Sequence, residues 1–390
     1  MRRRPRPADV AESLGERAEA LCAVASPIGE EAELCSELEV WARALFPAVQ
    51  RVKNSLVVWV DGPPPEEDTP LPHRGGGAPG GAAVPEGAAL GRPLLALVGH
   101  VDTVPIHELD RGRQPRREGG RLVGPGASDM KGGVAVMMEL AERLPRAERF
   151  CDLVLVLYAR EEGPFLENEL GDVLREVPAL ARAALALCPE PTDNLVQLGC
   201  MGSIHATFTF TGRAAHSARP WQGENAIHKA GALLAELHAR APREARSGGH
   251  VFREVLSVTR IDGGRARNVV PERCALNLNF RFAPDRTLDA AAEELRALAR
   301  AHGAEIELVD LSPACPAFGD HPLVQRLLAR TGVKSEPKQA WTDVARLAAQ
   351  GIPAVNFGPG ATSQAHQQGE WIDLAELARG YGLFERFLRG

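Results

Sequence analysis

Three apolar runs of strand type each end in side chains that can bind metal: LLALVGHVD at 94–102, DLVLVLYAREE at 152–162 and AALALCPEP at 183–191. Short continuous apolar runs bounded by proline, glycine or charge read as strands buried on both faces, the kind found in parallel sheets covered by helices. In open α/β sheets ligands bind beyond the carboxyl ends of such strands. The chain is thereby constrained to a layered fold whose strand ends bring His100, Glu161, Glu162 and Glu190 towards one place. Two further pieces join them, Asp129 in GASDMKGG and His366 in SQAH. Imidazole and carboxylate suit divalent zinc, and two neighbouring metals need a carboxylate that can bridge them. Singly, each piece has a plainer reading. A histidine after a strand packs or caps, paired glutamates line a solvated face, Ser-Asp caps a helix, and Glu190 between prolines makes a surface turn.

At 390 residues the chain exceeds the size at which one core stops growing, so two domains are expected. No apolar run approaches the roughly 20 residues that span a bilayer, and the N-terminal MRRRPRPADV lacks the apolar stretch of a secretory signal. Seven scattered cysteines without CxxC spacing point to a reduced cytoplasm rather than a disulfide framework. A net charge of −6 supplies no basic field for nucleic acid or an anionic membrane. GPGASDMKGG lacks the GxxxxGK[ST] pattern of a phosphate loop.

Along the chain, Asp9 is placed to cap a first helix, and Leu34, Leu38, Trp41 and Leu45 keep helical spacing in a second. SLVVWV at 55–60 is a strand. Residues 61–93, with PPPEEDTP and GGGAPGG, carry almost no bulky apolar side chain and read as a flexible surface insertion. Val134, Met137, Met138 and Ala141 form one face of a helix after SDMKGG, continuing a βα alternation. After Gly199 the style changes. IHATFTFTG, VLSVTRI, CALNLNFRF and EIELV are strands, with helices at 225–239 and 287–301, giving the order β-α-β-β-α-β of a ferredoxin-like unit. The expected organisation is α/β: a mostly parallel sheet covered by helices from 1–200 and 313–390, with an α+β domain inserted at 201–312.

The GHVDTVP, SDMKGG, Glu-Glu, Glu-Pro and C-terminal Ala-His pieces together resemble the co-catalytic zinc amidohydrolases and peptidases of the M20 type. WTDVARLAAQGIPAVNFGPG and RNVVPERCALNLNFRFAPDRT are similar to the branch that removes succinyl groups from diaminopimelate, in its actinobacterial form. The 61–93 insertion lies outside that family's core, and WTDVARL replaces a Gly-rich, Ser-containing version found in the enterobacterial type. Branches acting on N-acetylornithine or short peptides share the same motifs.

The resemblance implies two Zn²⁺ per subunit, replaceable by Co²⁺, in a cytoplasmic homodimer whose substrate is a small N-acyl amino acid. It implies that His100 and Glu190 hold one zinc, Glu162 and His366 the other, and that Asp129 bridges them. It makes Glu161 the general base, and implies a cis peptide bond between Asp129 and Met130. Asp102, two residues beyond His100, can accept the second imidazole N–H and fix the tautomer. By the same resemblance His216 of the inserted domain reaches the neighbouring subunit's site and stabilises the oxyanion. The resemblance also implies that Asn268, Arg281 and Thr342 contact substrate. Two zinc ions contribute +4, while Asp129, Glu162, Glu190 and a hydroxide contribute −4, so recognition of an anionic substrate falls to arginine. Arg281 can grip a carboxylate in a fork; its plainer role is on a solvated sheet face.

Overall fold

The computed structural model describes residues 7–63, 92–112 and 115–390. Positions 64–91, most of the expected insertion, lie outside the described residues. The chain divides into two compact units. One takes in the chain through Leu198 with Phe318–Glu336 and Arg346–Gly390; the other comprises Gly199–Ala317 and Pro337–Ala345.

The first unit is built on an eight-stranded sheet in the order Ala48–Val52, Ser55–Trp59, Asp152–Tyr158, Leu94–His100, Leu185–Cys188, Ala354–Asn356, Val196–Leu198 and Ser335–Pro337. The four central strands from Asp152–Tyr158 to Ala354–Asn356 run parallel. Ala48–Val52, Ser55–Trp59 and Val196–Leu198 pair antiparallel towards the edges. Leu95, Leu97, Leu153, Leu155, Leu185 and Leu187 are fully buried or nearly so, as strands covered on both faces require. The helix Gly132–Arg143 is buried from Gly132 through Ala141, not along one stripe. A helix buried all round belongs inside a layered core, and its one buried charge, Glu139, is paired with Arg17 and Arg143. The first helix runs Pro7–Ala23, so Asp9 sits in its first turn rather than at its cap. There the carboxylate faces the positive end of the helix dipole.

A small three-stranded sheet of Arg116–Glu118, Arg121–Val123 and Trp371–Asp373 flanks the SDMKGG segment. Trp371 pairs with Val123 and Asp373 with Arg121. This ladder brings the stretch after His366 beside the loop that carries Asp129.

The second unit is a five-stranded antiparallel sheet in the order Arg243–Ser247, His250–Gly263, Arg273–Phe282, Gly202–Thr211 and Glu305–Ser312. In Arg273–Phe282 the alternation predicts the outcome. Cys274, Leu276, Leu278, Phe280 and Phe282 enter the core against Ala226–Ala239 and Leu288–His302, and Asn277, Asn279 and Arg281 take the other face. The strand Arg243–Ser247 is an addition the sequence did not announce; REARS has neither an apolar alternation nor β-branched residues. Pro337–Ala345 joins this unit through side-chain and backbone bonds. Trp341 Nε1 donates to the Pro313 carbonyl at 3.0 Å, and Gln339 accepts from the Arg253 N–H at 3.0 Å. All seven cysteines are buried, and none forms a disulfide. Among the described residues no helix is long and apolar enough to cross a membrane.

Candidate metal centre

Seven of the predicted site residues meet beyond the carboxyl ends of the central strands of the first unit. His100 ends its strand 1% exposed, with Asp102 beside it fully buried. His100 Nδ1 lies 3.1 Å from the Asp102 backbone carbonyl and 3.6 Å from its carboxylate. The tautomer with hydrogen on Nδ1 satisfies that carbonyl and turns the Nε2 lone pair towards Asp129, whose Oδ1 is 3.2 Å away. Asp102 therefore orients His100 mainly through its main chain, whereas the sequence suggested its carboxylate. That carboxylate serves the neighbouring strand end. Its two oxygens accept the backbone N–H groups of Glu161 and Glu162, each at 3.0 Å. Arg160, at φ +66°, makes the sharp exit from the strand that presents both amides.

Burial opposes the charge on Asp102, but His100 and the two amides hold its carboxyl below the ordinary aspartate range. For His100, burial again opposes charge, and the carboxylates of Asp102 and Asp129 outweigh it to raise the pKa well above the usual value.

Asp129 joins the two halves of the cluster. Oδ1 faces His100, while Oδ2 lies 3.9 Å from His366 Nε2. His366 Nε2 is also 3.0 and 2.8 Å from the two oxygens of Glu162. One set of ligand atoms, from His100, Asp129 and Glu190, lies within 4.8 Å of one another; so does a second, from Asp129, Glu162 and His366. A third set within the same limit contains Glu161 with His100 and Glu162. His366, at φ +60°, occupies the left-handed region, which costs a residue with a Cβ on the order of 1 kcal/mol. Its pKa is raised, first by Glu162.

These donors fit divalent metal. A tetrahedron with bonds of about 2.0–2.1 Å has edges of roughly 3.3 Å. The 3.2 Å from His100 to Asp129 and the 2.8–3.0 Å from His366 to Glu162 are close to such edges. Imidazole and carboxylate without thiolate suit zinc, cobalt or manganese.

The peptide between Asp129 and Met130 is cis. The helix that follows approaches the Glu190 loop so closely that a Cβ on Gly133 would fall 2.2 Å from the Pro189 carbonyl oxygen. Only glycine permits that approach. Two neighbours escaped the sequence reading. Lys131 is 1% exposed and its Nζ donates to the carbonyls of Leu21 and Val24 at 3.0 and 2.9 Å, closing the end of the first helix. Burial lowers its pKa. Glu370, 7% exposed, accepts N–H groups from Gly126, Ser128 and Asp129. Burial, with Asp129 nearby, raises its pKa to about 7. An acid four residues beyond His366 was visible, but no spacing rule ties it to 126–129.

The other four predicted residues belong to the second unit. His216 lies in a two-stranded ribbon, paired with Val269, and Asn268, in the turn just before that strand, accepts the Ser217 N–H on its carbonyl at 2.9 Å. His216 is exposed, and its Nδ1 accepts from the Ala218 N–H at 3.0 Å. Arg281, half-buried, donates through Nε to Asn279 Oδ1 at 2.9 Å, and burial lowers its pKa. Thr342 is buried in the Pro337–Ala345 segment, so the structure groups it with the second unit and not the first, as the sequence had it.

Comparison with known proteins adds to this geometry. Residues 198–307 match a family model described as a peptidase dimerisation domain, and residues 82–210 match one for peptidase family M28. The chain is 40% identical over 297 residues to a putative succinyl-diaminopimelate desuccinylase of Mycobacterium tuberculosis, covering 76% of this chain and 82% of the relative. A succinyl-diaminopimelate desuccinylase of Corynebacterium glutamicum is 36% identical over 75% of this chain and 80% of its own. An acetylornithine deacetylase of Myxococcus xanthus is 32% identical, covering 76% and 80%. In fold, the chain is similar to a tripeptidase of Staphylococcus aureus, with a TM-score of 0.73 at 17% identity over 97% of both chains. It is similar also to a dinuclear metal-binding peptidase of the M20 family from Bacillus subtilis, with a TM-score of 0.65 at 16% identity over 97% of both chains.

Proposed function

Because the chain belongs to the M20 family of metal-dependent peptidases and amide hydrolases, we propose that it removes succinate from N-succinyl-L,L-2,6-diaminopimelate, a step of diaminopimelate and lysine synthesis. The observation that carries the chemistry is Asp129, which offers one oxygen to the His100 side and the other to the His366 side. A carboxylate shared between two ligand triads is what a co-catalytic pair of metals requires. We assign His100, Asp129 and Glu190 to one metal, and Asp129, Glu162 and His366 to the other, with zinc as the native ion. The substrate assignment rests on the relatives that are 36–40% identical over three quarters of the chain.

The chemistry that two bound divalent ions supply is Lewis acidity towards the scissile carbonyl and the attacking water. Glu161, held beside the cluster by the Asp102 bond to its amide, accepts the proton of that water. It then gives the proton to the departing amine, so one carboxylate serves as base and acid in turn. Asp102 keeps the His100 ring and the Glu161–Glu162 turn in register. In the second unit His216 donates to the oxyanion, and Asn268 and Arg281, with Thr342 in a lesser part, bind the substrate's carboxylates and backbone.

The dimerisation-domain match across 198–307 supports a homodimer, in which we place His216 in the partner's site. The buried cysteines, none of them in a disulfide, accord with a reduced cytoplasm. The test is a comparison of kcat/KM on N-succinyl-L,L-diaminopimelate and on N-acetylornithine. The succinyl substrate is expected to be preferred by at least about 10²-fold, since a site built for a second carboxylate rejects an analogue lacking it. A preference for N-acetylornithine would move the chain to the deacetylase branch.

A further inference from the structure

We propose that Glu370 is a positioning residue that sets the geometry of the Asp129 bridge and ties it to the loop of His366. The inference rests on the two-metal reading above. Glu370 Oε2 accepts the Gly126 N–H at 2.9 Å, and Oε1 accepts the N–H groups of Ser128 and Asp129 at 2.7 and 2.8 Å. Its backbone carbonyl takes the Gly124 N–H at 3.0 Å. Four amides of the loop entering Asp129 thus end on one residue, itself 7% exposed.

The loop needs such an anchor. Gly126 is left-handed at φ +74°, and Asp129 and Met130 depart from helical backbone; Ala127 and Lys131 still bond back to the Gly124 and Gly126 carbonyls, while the amides of Gly126, Ser128 and Asp129 turn to the Glu370 side chain. A carboxylate with two acceptor oxygens gathers three of them, and charge-assisted bonds of this kind are short and directional. Glu370 is fixed in turn by the pairing of Trp371–Asp373 with Arg121–Val123, on either side of the same loop. It follows His366 by four residues. One side chain therefore holds the approach to the bridging ligand and lies on the segment that delivers a terminal ligand. Groups that orient metal ligands from behind typically change metal affinity or activity by about 10–100-fold when removed.

The test compares wild type with Glu370→Gln, which keeps size but offers one acceptor oxygen and turns an NH₂ group against at least one loop amide. Both are stripped of metal and titrated with Co²⁺, following visible absorption, with Zn²⁺ content measured in parallel. Wild type is expected to bind two ions. The variant is expected to bind at least one of them about 10–100-fold more weakly and to show a shifted cobalt band, with far-UV circular dichroism unchanged. Equal affinities and an unchanged band in Glu370→Gln would overturn the proposal while leaving the two-metal reading intact. A wild type that binds neither ion would overturn both.

Should Glu370→Gln fail to fold, Glu370→Asp, which keeps charge but shortens the reach, is expected to show the same weakening; wild-type metal binding in it would contradict the proposal. Hydrogen exchange on metal-free wild type needs no variant. The amides of Gly126, Ser128 and Asp129 should exchange slowly, and rapid exchange there would overturn the anchor.

Discussion

Asp102 accepts the backbone N–H of Glu162 at 3.0 Å, so a residue next to one candidate ligand holds the turn that carries another. Its other oxygen takes the Glu161 amide. Asp102→Ala leaves two part-buried amides without an acceptor and frees the Glu161–Glu162 turn. We expect kcat/KM to fall by at least about 10–100-fold, with metal lost mainly from the Glu162–His366 side. Kinetics with metal analysis checks this; full metal content with unchanged kcat would contradict it.

Glu161→Gln separates base from ligand. Metals should remain while kcat falls by about 10²–10⁴-fold, the range for a general base. Loss of metal with kcat per bound metal unchanged would exchange the roles of Glu161 and Glu162.

His216 tests the subunit arrangement. His216→Ala should lower kcat by about 10²–10³-fold while metal content and the dimer persist. Mixing it with Glu161→Gln should restore activity as subunits exchange, since one site of the heterodimer then carries both defects and the other neither. If exchange is confirmed and the mixture stays inactive, His216 does not act across the dimer.

The second unit carries an acid-sensitive lock. Arg243 grips Asp285 with two bonds, at 2.8 and 2.7 Å, and holds its carboxyl below the ordinary aspartate value. A lowered folded-state pKa contributes stability that is fully present above the unfolded value, about 4, and lost as pH falls through the folded one. Asp285→Asn should therefore unfold at lower denaturant than wild type near neutrality. The gap should close as pH drops below about 4. Denaturation curves across that range decide it, and a gap that widened in acid would refute the sign.

Much of this architecture could be read from the residues. LLALVG, DLVLVLY and AALALC announced the buried parallel strands, and CALNLNFRF the half-buried one, because burial on two faces or one leaves different periods in the sequence. The candidate ligands were visible because metal chemistry admits few side chains and strand ends converge. What stayed hidden depends on partners distant in sequence. Glu370 meets amides about 240 positions away. Pro337–Ala345 joins the second unit through bonds to Pro313 and Arg253 that no local pattern encodes. Arg243–Ser247 is a strand only because His250–Gly263 offers it an edge.

Metal titration of the stripped enzyme, assayed on N-succinyl-L,L-diaminopimelate, tests the central claim most directly. The shared Asp129 carboxylate predicts that activity is lost on chelation and returns as Zn²⁺ or Co²⁺ is added, reaching its plateau at about two equivalents per subunit. Full hydrolysis of that substrate by protein shown to contain no metal would contradict it.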